Sequence, residues 1–159
     1  MEDILEILEN NARVSLEDLA KLTNRQKKEV QEVVEKYEKE GVIVKYKAVI
    51  NRERLNEERV TALIEVMVSP QKDVGFDSIA ERIYRFSEVK SCYLLSGTYD
   101  LLLIVEGKDI HTVASFVAEK LAPLSNVKRT VTHFMLKKYK EDGVILVKEE
   151  KDKRLTITY

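Results

Sequence analysis

The stretch that decides the fold is residues 89–105, which read VKSCYLLSGTYDLLLIV. Two apolar runs of strand length flank the break Ser96-Gly97-Thr98. Gly97 can adopt a positive φ without strain, so the pattern predicts two strands that meet in a reversing loop. Asp100 then stands at the start of the second strand, where a carboxylate is costly unless it is paired or faces a cavity. Asp100 is therefore either a plain turn residue or part of a binding site.

The composition predicts a soluble globular protein with one domain or two small ones. The chain has 159 residues, of which 44% are hydrophobic and 35% charged, and its formal net charge is −1. Its apolar runs fall short of the roughly 20 residues that a membrane span needs. The acidic start Met1-Glu2-Asp3 does not look like a signal peptide, so we expect a cytoplasmic location.

The few cysteine and histidine residues argue against disulfide and metal chemistry. Cys92 is the only cysteine, which excludes an internal disulfide, and we expect it to pack in a core. One cysteine and two distant histidines cannot form a typical structural zinc site. We expect His111 to be solvated and His133 to lie on a sheet surface. No nucleophile–base pair or phosphate loop is visible, so we expect no catalytic residue, metal or cofactor.

The first fifty residues have the apolar spacing of three short helices. The first helix is expected over residues 3–11, and Ser15 starts the second with the spacing of a capping box. The third is expected to open at Thr23 or Asn24 and to end at Gly41. The short turn between the second and third helices favours a helix-turn-helix. A small helical subdomain without DNA binding is the alternative.

DNA binding through such a motif needs cations on the third helix that neutralise phosphates. The first fifty residues hold nine Lys and Arg against eleven Asp and Glu, a net charge of −2. We therefore predict weak binding to double-stranded DNA that depends steeply on salt. Its contacts are expected at the start of this helix, at Arg25, Lys27, Lys28 and Gln31. Carboxylates at Glu29, Glu32 and Glu35 flank these contacts.

The second half of the chain changes from helical to mixed periodicity. Residues 42–50 alternate as a strand that leaves the helical unit. From residue 60 the order is strand, helix, two strands, helix and strand, the split βαβ pattern of ferredoxin-like folds, and the last strand is expected over 127–139. A tail hairpin is expected from strands at 144–147 and 155–159. Helices on one face leave the other sheet face apolar and bare, so we expect a second subunit to cover it.

The predicted fold class is α+β, with an N-terminal (winged) helix-turn-helix domain and a C-terminal ferredoxin-like βαββαβ domain. The predicted divisions are a helix-turn-helix domain over residues 1–50, a linker over 51–59, a ferredoxin-like domain over 60–142 and a C-terminal extension over 143–159.

Three segments in this order resemble the Lrp/AsnC family of feast/famine transcriptional regulators. The first is the helical part from Ser15 to its Gly41-Val42-Ile43 exit. The second joins a cysteine–tyrosine strand to Gly97-Thr98-Tyr99-Asp100, and the third is the strand with Thr130-Val131-Thr132. The resemblance covers nearly the whole chain. It implies DNA binding by the first domain, and amino-acid effectors held at subunit interfaces of dimers that build octamers.

An α-amino acid needs donors for its carboxylate and an acceptor for its ammonium. Under the resemblance, the effector-binding residues are Gly97, Thr98, Tyr99, Asp100, Thr130 and Thr132. Backbone N–H groups of the loop and the threonine hydroxyls would serve the carboxylate, and Asp100 would accept from the ammonium. We expect the threonines to face Asp100 from a neighbouring strand.

Two other classes of function stay open at this point. One is an oligomeric sensor or interaction protein that has lost sequence-specific DNA binding. The other is an enzyme, since some proteins of similar two-domain plan decarboxylate a haem precursor. That chemistry would need an Arg- and His-lined pocket, for which Arg129 and His133 on one face of the last strand are the visible residues.

Overall fold

The computed structural model describes residues 2–55, 57, 59–69 and 75–147, with side chains from Ile4 onward. The chain forms two compact units that divide between Ile50 and Asn51. Within the described residues, no helix is long and apolar enough to cross a membrane.

The first unit consists of three helices around a small apolar core. Their bounds are Glu2–Asn10 for α1, Leu16–Leu22 for α2 and Lys27–Lys39 for α3. Each helix buries one stripe of side chains and leaves the opposite side polar, as amphipathic surface helices do. The buried side chains are Ile4, Leu19, Ala20, Val30 and Val34.

Gly41 ends α3 as predicted. Its φ of +71° lies in the left-handed region, which glycine adopts without a Cβ penalty. The N–H of Gly41 donates to the carbonyl of Glu38 at 3.2 Å, and the N–H of Val42 donates to that of Tyr37 at 2.9 Å. These two bonds form a Schellman motif, which satisfies carbonyls that the helix end would leave unpaired.

The prediction of a strand over residues 42–50 is wrong for the single chain. The segment has no strand partner in the described part of the chain. Val44 is 87% exposed, and the hydroxyl of Tyr46 donates to Glu38 Oε1 at 2.8 Å. Alternating apolar residues indicate a strand only if another strand pairs with the backbone, and periodicity does not show whether one is present.

The second unit opens with a short 3₁₀ turn, Arg52–Leu55, and continues as a four-stranded sheet with two helices. The sheet order is β2-β3-β1-β4 with every neighbouring pair antiparallel, which confirms the predicted ferredoxin-like topology. The elements are β1 Val60–Val68, α4 Phe76–Tyr84, β2 Val89–Leu94, β3 Leu101–Gly107, α5 Ile110–Ser115 and β4 Val127–Phe134.

The helices cover one face of this sheet. Ala62, Ile64, Val66 and Val68 of β1 are buried with the apolar residues of α4 and α5. The residues between them in β1 point to the other face, as do their directly paired neighbours, because strand side chains alternate. We call this second surface the open face. Its members include Leu63, Glu65, Met67, Tyr93, Leu102, Ile104, Arg129, Val131 and His133.

The structure departs from the apolar face that the sequence predicts for the helix after β3. The sequence predicts a cap at Asp109 and one buried face made of Val113, Ala114, Val117, Leu121 and Leu124. Asp109 caps α5 as predicted, accepting from the N–H of Thr112 at 2.7 Å. The helix then continues in π-helical turns over Phe116–Leu121. This five-residue repeat buries Phe116 and Leu121 together, whereas Ala114, predicted on the buried face, is exposed. An α-helical period of 3.6 residues cannot anticipate that phase change.

The last strand of the sheet is shorter than predicted, and a short hairpin follows it. β4 ends at Phe134 rather than at residue 139. Phe134 pairs with Ala62 and β1 begins at Val60, so no residue of β1 lies opposite residues 137–139. A short hairpin follows, in which β5 (Lys140–Glu141) pairs with β6 (Val144–Ile145). The second strand of the expected tail hairpin lies outside the described residues.

The start of α2 provides a simple test of local stability. Ser15 Oγ accepts from the N–H of Asp18 at 3.1 Å, as its capping-box spacing predicts. Ser15→Ala should lower the free energy of unfolding by about 1 kcal/mol. Ser15→Asn should leave the free energy of unfolding close to that of the wild type, because asparagine is a comparable cap. Urea denaturation of the three proteins measures this. Equal stability of all three would contradict the assigned cap.

Candidate DNA-contacting helix and effector site

The turn between α2 and α3 places the predicted DNA contacts. Thr23 ends α2, with its hydroxyl donating to the carbonyl of Leu19 at 2.7 Å, and Asn24 has a φ of +53°. The N–H of Arg25 then donates to the carbonyl of Ala20 at 2.9 Å. The helix therefore begins at Lys27 rather than at Thr23 or Asn24, and Arg25 precedes its first turn. Thr23 was misassigned because its side chain closes the preceding helix instead of capping the next one.

The predicted contacts on α3 are exposed, and carboxylates already engage three of them. Lys27 donates to Glu17 of α2. Lys28 lies 4.0 Å from Glu32, measured from Nζ to Oε1. Arg25 is half-buried, and Gln31 donates to Glu35 Oε1 at 2.7 Å. In free protein, the positive charge at the start of α3 is thus partly neutralised within the domain.

The loop between β2 and β3 is closed by backbone hydrogen bonds. The N–H of Leu95 donates to the carbonyl of Asp100 at 2.9 Å, which leaves residues 96–99 as the tip, exposed at 96–98 and half-buried at Tyr99. Gly97 has a φ of +158°, a positive value that favours glycine, as the sequence predicts. The exposed part of the tip therefore lies close in sequence to a half-buried carboxylate.

Asp100 holds this loop against the end of β1. Its backbone N–H donates to the carbonyl of Val66 at 3.1 Å, and its carboxylate Oδ2 accepts from the N–H of Val68 at 2.8 Å. The sequence offered a turn residue or a binding residue as alternatives. The structure gives Asp100 a definite positioning contact through Oδ2. A carboxylate has two acceptor oxygens, so Oδ1 can accept a hydrogen bond from a ligand.

Sequence reasoning missed a buried polar residue that contacts the same end of β1. Asn126 is 6% exposed and precedes β4. Its carbonyl accepts from the N–H of Ser69 at 2.8 Å, and its Nδ2 donates to the carbonyl of Ser69 at 3.3 Å. Asn126 therefore fixes the end of β1 that also carries the partner of Asp100. A lone asparagine between helix and strand gives no sequence signal for this role.

We expected Thr130 and Thr132 on the strand beside Asp100, and this expectation is wrong. Thr130 pairs with Val66 and Thr132 with Ile64, so both threonines lie on β4, at the far side of β1. Val66 thus lies between Asp100 and Thr130. The backbones of Asp100 and Thr130 are therefore about two strand spacings, or about 10 Å, apart. The sheet order explains the error, because β1 inserts between β3 and β4.

Two cavities open at the opposite end of the sheet. One, of 170 Å³, lies between the 3₁₀ turn, the start of β1 and the chain after β4, and its cations are Arg52, Arg59, Lys137 and Lys138. Glu57 already pairs with Arg52 at 2.7 Å, and Lys138 with Glu141 at 2.8 Å. The other cavity is lined by Arg59, Lys90 and Lys108. Neither contains a predicted effector residue.

The cysteine and the histidines occupy the environments that the sequence predicts. Cys92 packs against the core, and burial raises the pKa of its thiol. His133 Nε2 lies 3.2 Å from Glu65 Oε1 on the open face, and His111 is exposed. Across the described ranges, no three His, Cys, Asp or Glu side chains converge as metal ligands would.

The chain thus combines a helix-turn-helix unit with an α+β domain built on an antiparallel sheet, and matches to known families assign both parts to a class of transcriptional regulators. The sequence matches the winged helix-turn-helix DNA-binding family over residues 2–44 and the Lrp/AsnC ligand binding domain over residues 61–145. The chain belongs to the Lrp/AsnC family of transcriptional regulators.

Three similar proteins illustrate the relationship. The chain is 47% identical over 157 residues to the Bacillus subtilis protein named uncharacterized HTH-type transcriptional regulator YugG, covering 98% of this chain and 95% of that one. It is 28% identical to the leucine-responsive regulatory protein of Haemophilus influenzae, covering 91% and 87%. The crystal structure of transcriptional regulator NMB0573 with L-Met, from Neisseria meningitidis, superposes with a TM-score of 0.71 at 26% identity, covering 87% and 89%. The family and these relatives are regulators rather than enzymes, which removes the support for a decarboxylase.

Proposed function

We propose that this regulator contacts DNA through the start of α3 and responds to a small α-amino acid bound at the β2–β3 loop. The observation that carries the effector proposal is the fixed loop itself, in which the exposed residues 96–98 and the half-buried Tyr99 precede the Asp100 carboxylate. The amino-acid class is supported by the L-Met complex of the Neisseria protein and by the name of the Haemophilus protein. The cytoplasm, where DNA and free amino acids meet, is the proposed location.

In the proposed site, one set of groups binds the carboxylate of the effector and another binds its ammonium. The loop N–H groups of Gly97, Thr98 and Tyr99 face the effector carboxylate, and the free oxygen of Asp100 accepts from its ammonium. Thr130 and Thr132 lie across β1 from this loop. Because one small molecule does not span that gap easily, we propose that the threonines contribute to the site of another subunit, so that the effector binds between subunits.

Two substitutions at Asp100 separate its charge from its hydrogen bond. Asp100→Asn keeps an acceptor for the N–H of Val68 but loses the negative charge, whereas Asp100→Ala loses both. A charge-assisted contact is worth about 1.5–3 kcal/mol, so both variants should bind the effector roughly 10- to 150-fold more weakly. Isothermal titration with L-methionine, L-leucine and the other common amino acids measures this, with the exposed Glu119→Gln as a charge-matched control.

The results distinguish three cases. If the wild type gives no heat with any common amino acid, the effector proposal fails. If Asp100→Asn binds like the wild type and Asp100→Ala does not, Asp100 only positions the loop. Weakening in both variants, with Glu119→Gln unchanged, supports direct recognition of the ammonium.

A sensor that has lost sequence-specific DNA binding is the second candidate. It is favoured by the acidic partners that already occupy Lys27, Lys28 and Gln31. A gel shift with the upstream region of the protein's own gene, in excess nonspecific duplex, separates the two candidates. A specific complex supports the regulator, and no complex even at low salt supports the sensor.

A further inference from the structure

Glu17 of α2 forms an ion pair with Lys27, the first residue of the proposed DNA-contacting helix α3. The Lys27 ammonium donates to Glu17 Oε1, and the two residues are ten positions apart on different helices. Leu19 and Val30 are buried in the same core, which fixes α2 against α3. The placement of this ion pair is therefore set by the fold of the domain. By contrast, the pairs of Lys28 and Gln31 lie within α3.

The position of Glu17 conflicts with DNA binding. In a helix-turn-helix, the first helix of the motif crosses the DNA backbone and the second enters the major groove. Glu17 lies in the first turn of α2, so its carboxylate is close to the expected path of the phosphates. The hydrogen bond from Lys27 lowers the pKa of Glu17, so this carboxylate stays charged at neutral pH.

We propose that Glu17 competes with DNA phosphate for Lys27 and thereby limits the DNA affinity of this regulator. This inference rests on the proposed DNA contact through α3. To contact a phosphate, Lys27 must leave Glu17, and the freed carboxylate then repels the same polyanion. Binding thus exchanges an internal ion pair for an external one instead of adding a new contact. Because salt screens the internal pair as well, the penalty from Glu17 should be greatest at low ionic strength.

A double-mutant cycle tests this competition. The four proteins are the full-length wild type, Glu17→Gln, Lys27→Gln and the double variant, and the probe is a labelled duplex of random sequence, titrated by fluorescence anisotropy at several salt concentrations. Each substitution removes one charge; glutamine is isosteric with glutamate and shorter than lysine, and both positions are exposed. Exposed ion pairs are weak, so Glu17→Gln should raise affinity about 1.5- to 5-fold per subunit at low salt. In the Lys27→Gln background the same change should give a smaller gain, because it then relieves only the repulsion between Glu17 and the phosphates.

Each outcome has one meaning. A gain that depends on Lys27 supports the competition. An equal gain in both backgrounds overturns it, because Glu17 would then act only through net charge. No gain in either background overturns it as well, provided that circular dichroism shows folded proteins. If the wild type and Glu17→Gln both fail to bind the duplex at low salt, the DNA contact through α3 itself is contradicted.

Discussion

Replacing Lys27 and Lys28 together with glutamate should abolish binding to duplex DNA while leaving the protein folded. Both side chains are exposed, by 54% and 86%, so the charge reversal disturbs no core contact. They lie in the first turn of α3, where the helix dipole also favours phosphate. With Arg25, they give three proposed phosphate contacts per subunit. Counterion release then predicts a slope of log affinity against log salt of about −2.7 per subunit, or about −5 for a dimer.

The matched control is Lys36→Glu with Lys39→Glu, which changes the same net charge at the other end of the same helix. Both of these lysines are exposed. Electrophoretic mobility shifts over a salt series should show a complete loss for the first double variant and a smaller loss for the control. Equal losses would mean that net charge governs binding. Nanomolar binding by the Lys27/Lys28 variant at high salt would contradict the assignment outright.

The features that the sequence predicts best are those determined by nearby residues. The loop around Gly97, the Ser15 cap and the Gly41 helix end each depend on a few adjacent positions. The strand–helix order of the second domain follows from local periodicity, and the right topology follows from that order. This is why the family resemblance and the fold class could be recognised before any contact was known.

Contacts between distant residues were not predictable. The partner of the Asp100 carboxylate is the backbone N–H of Val68, 32 positions earlier, and a backbone donor leaves no mark on the sequence. The Glu17–Lys27 pair joins two helices whose relative placement depends on the turn between them. That turn was misread at Thr23, so the start of α3 was placed too early.

The threonine error has a different cause. We expected Thr130 and Thr132 to face Asp100 from a neighbouring strand, but β1 lies between β4 and the β3 strand that follows Asp100. The ferredoxin-like order that the sequence predicts already implies this placement. The topology was therefore right, and the expectation for the threonines was inconsistent with it. The effector residues therefore remain a proposal in which the loop and the threonines serve different subunits.

The open face should be the surface through which two subunits associate. Leu63 lies at its centre, paired with Ile104 on one side and with His133 on the other. Met67 is 36% exposed and Tyr93 49% exposed on the same surface, and in the part of the chain that the structure describes no helix covers them. Apolar side chains presented together in this way favour association with a self-complementary copy.

Leu63→Lys should therefore convert the protein from a dimer or larger assembly into a monomer of 18.4 kDa. A lysine ammonium is tolerated on a surface open to water but is costly when it is buried without a partner between two sheets. Light scattering at micromolar concentration measures the mass, and circular dichroism checks that the variant is folded. Ala118→Lys, at an exposed position on the helical side, should leave the mass unchanged.

Ile104→Lys provides an independent test of the same surface, because Ile104 belongs to a different strand. If both open-face variants dissociate and Ala118→Lys does not, the interface lies on this face. If all three remain assembled, the subunits associate elsewhere and the apolar residues of the open face need another explanation. A monomeric wild type would contradict the assembly proposal altogether. It would also remove the intersubunit effector site, since the threonines of one chain could then not complete the loop of another.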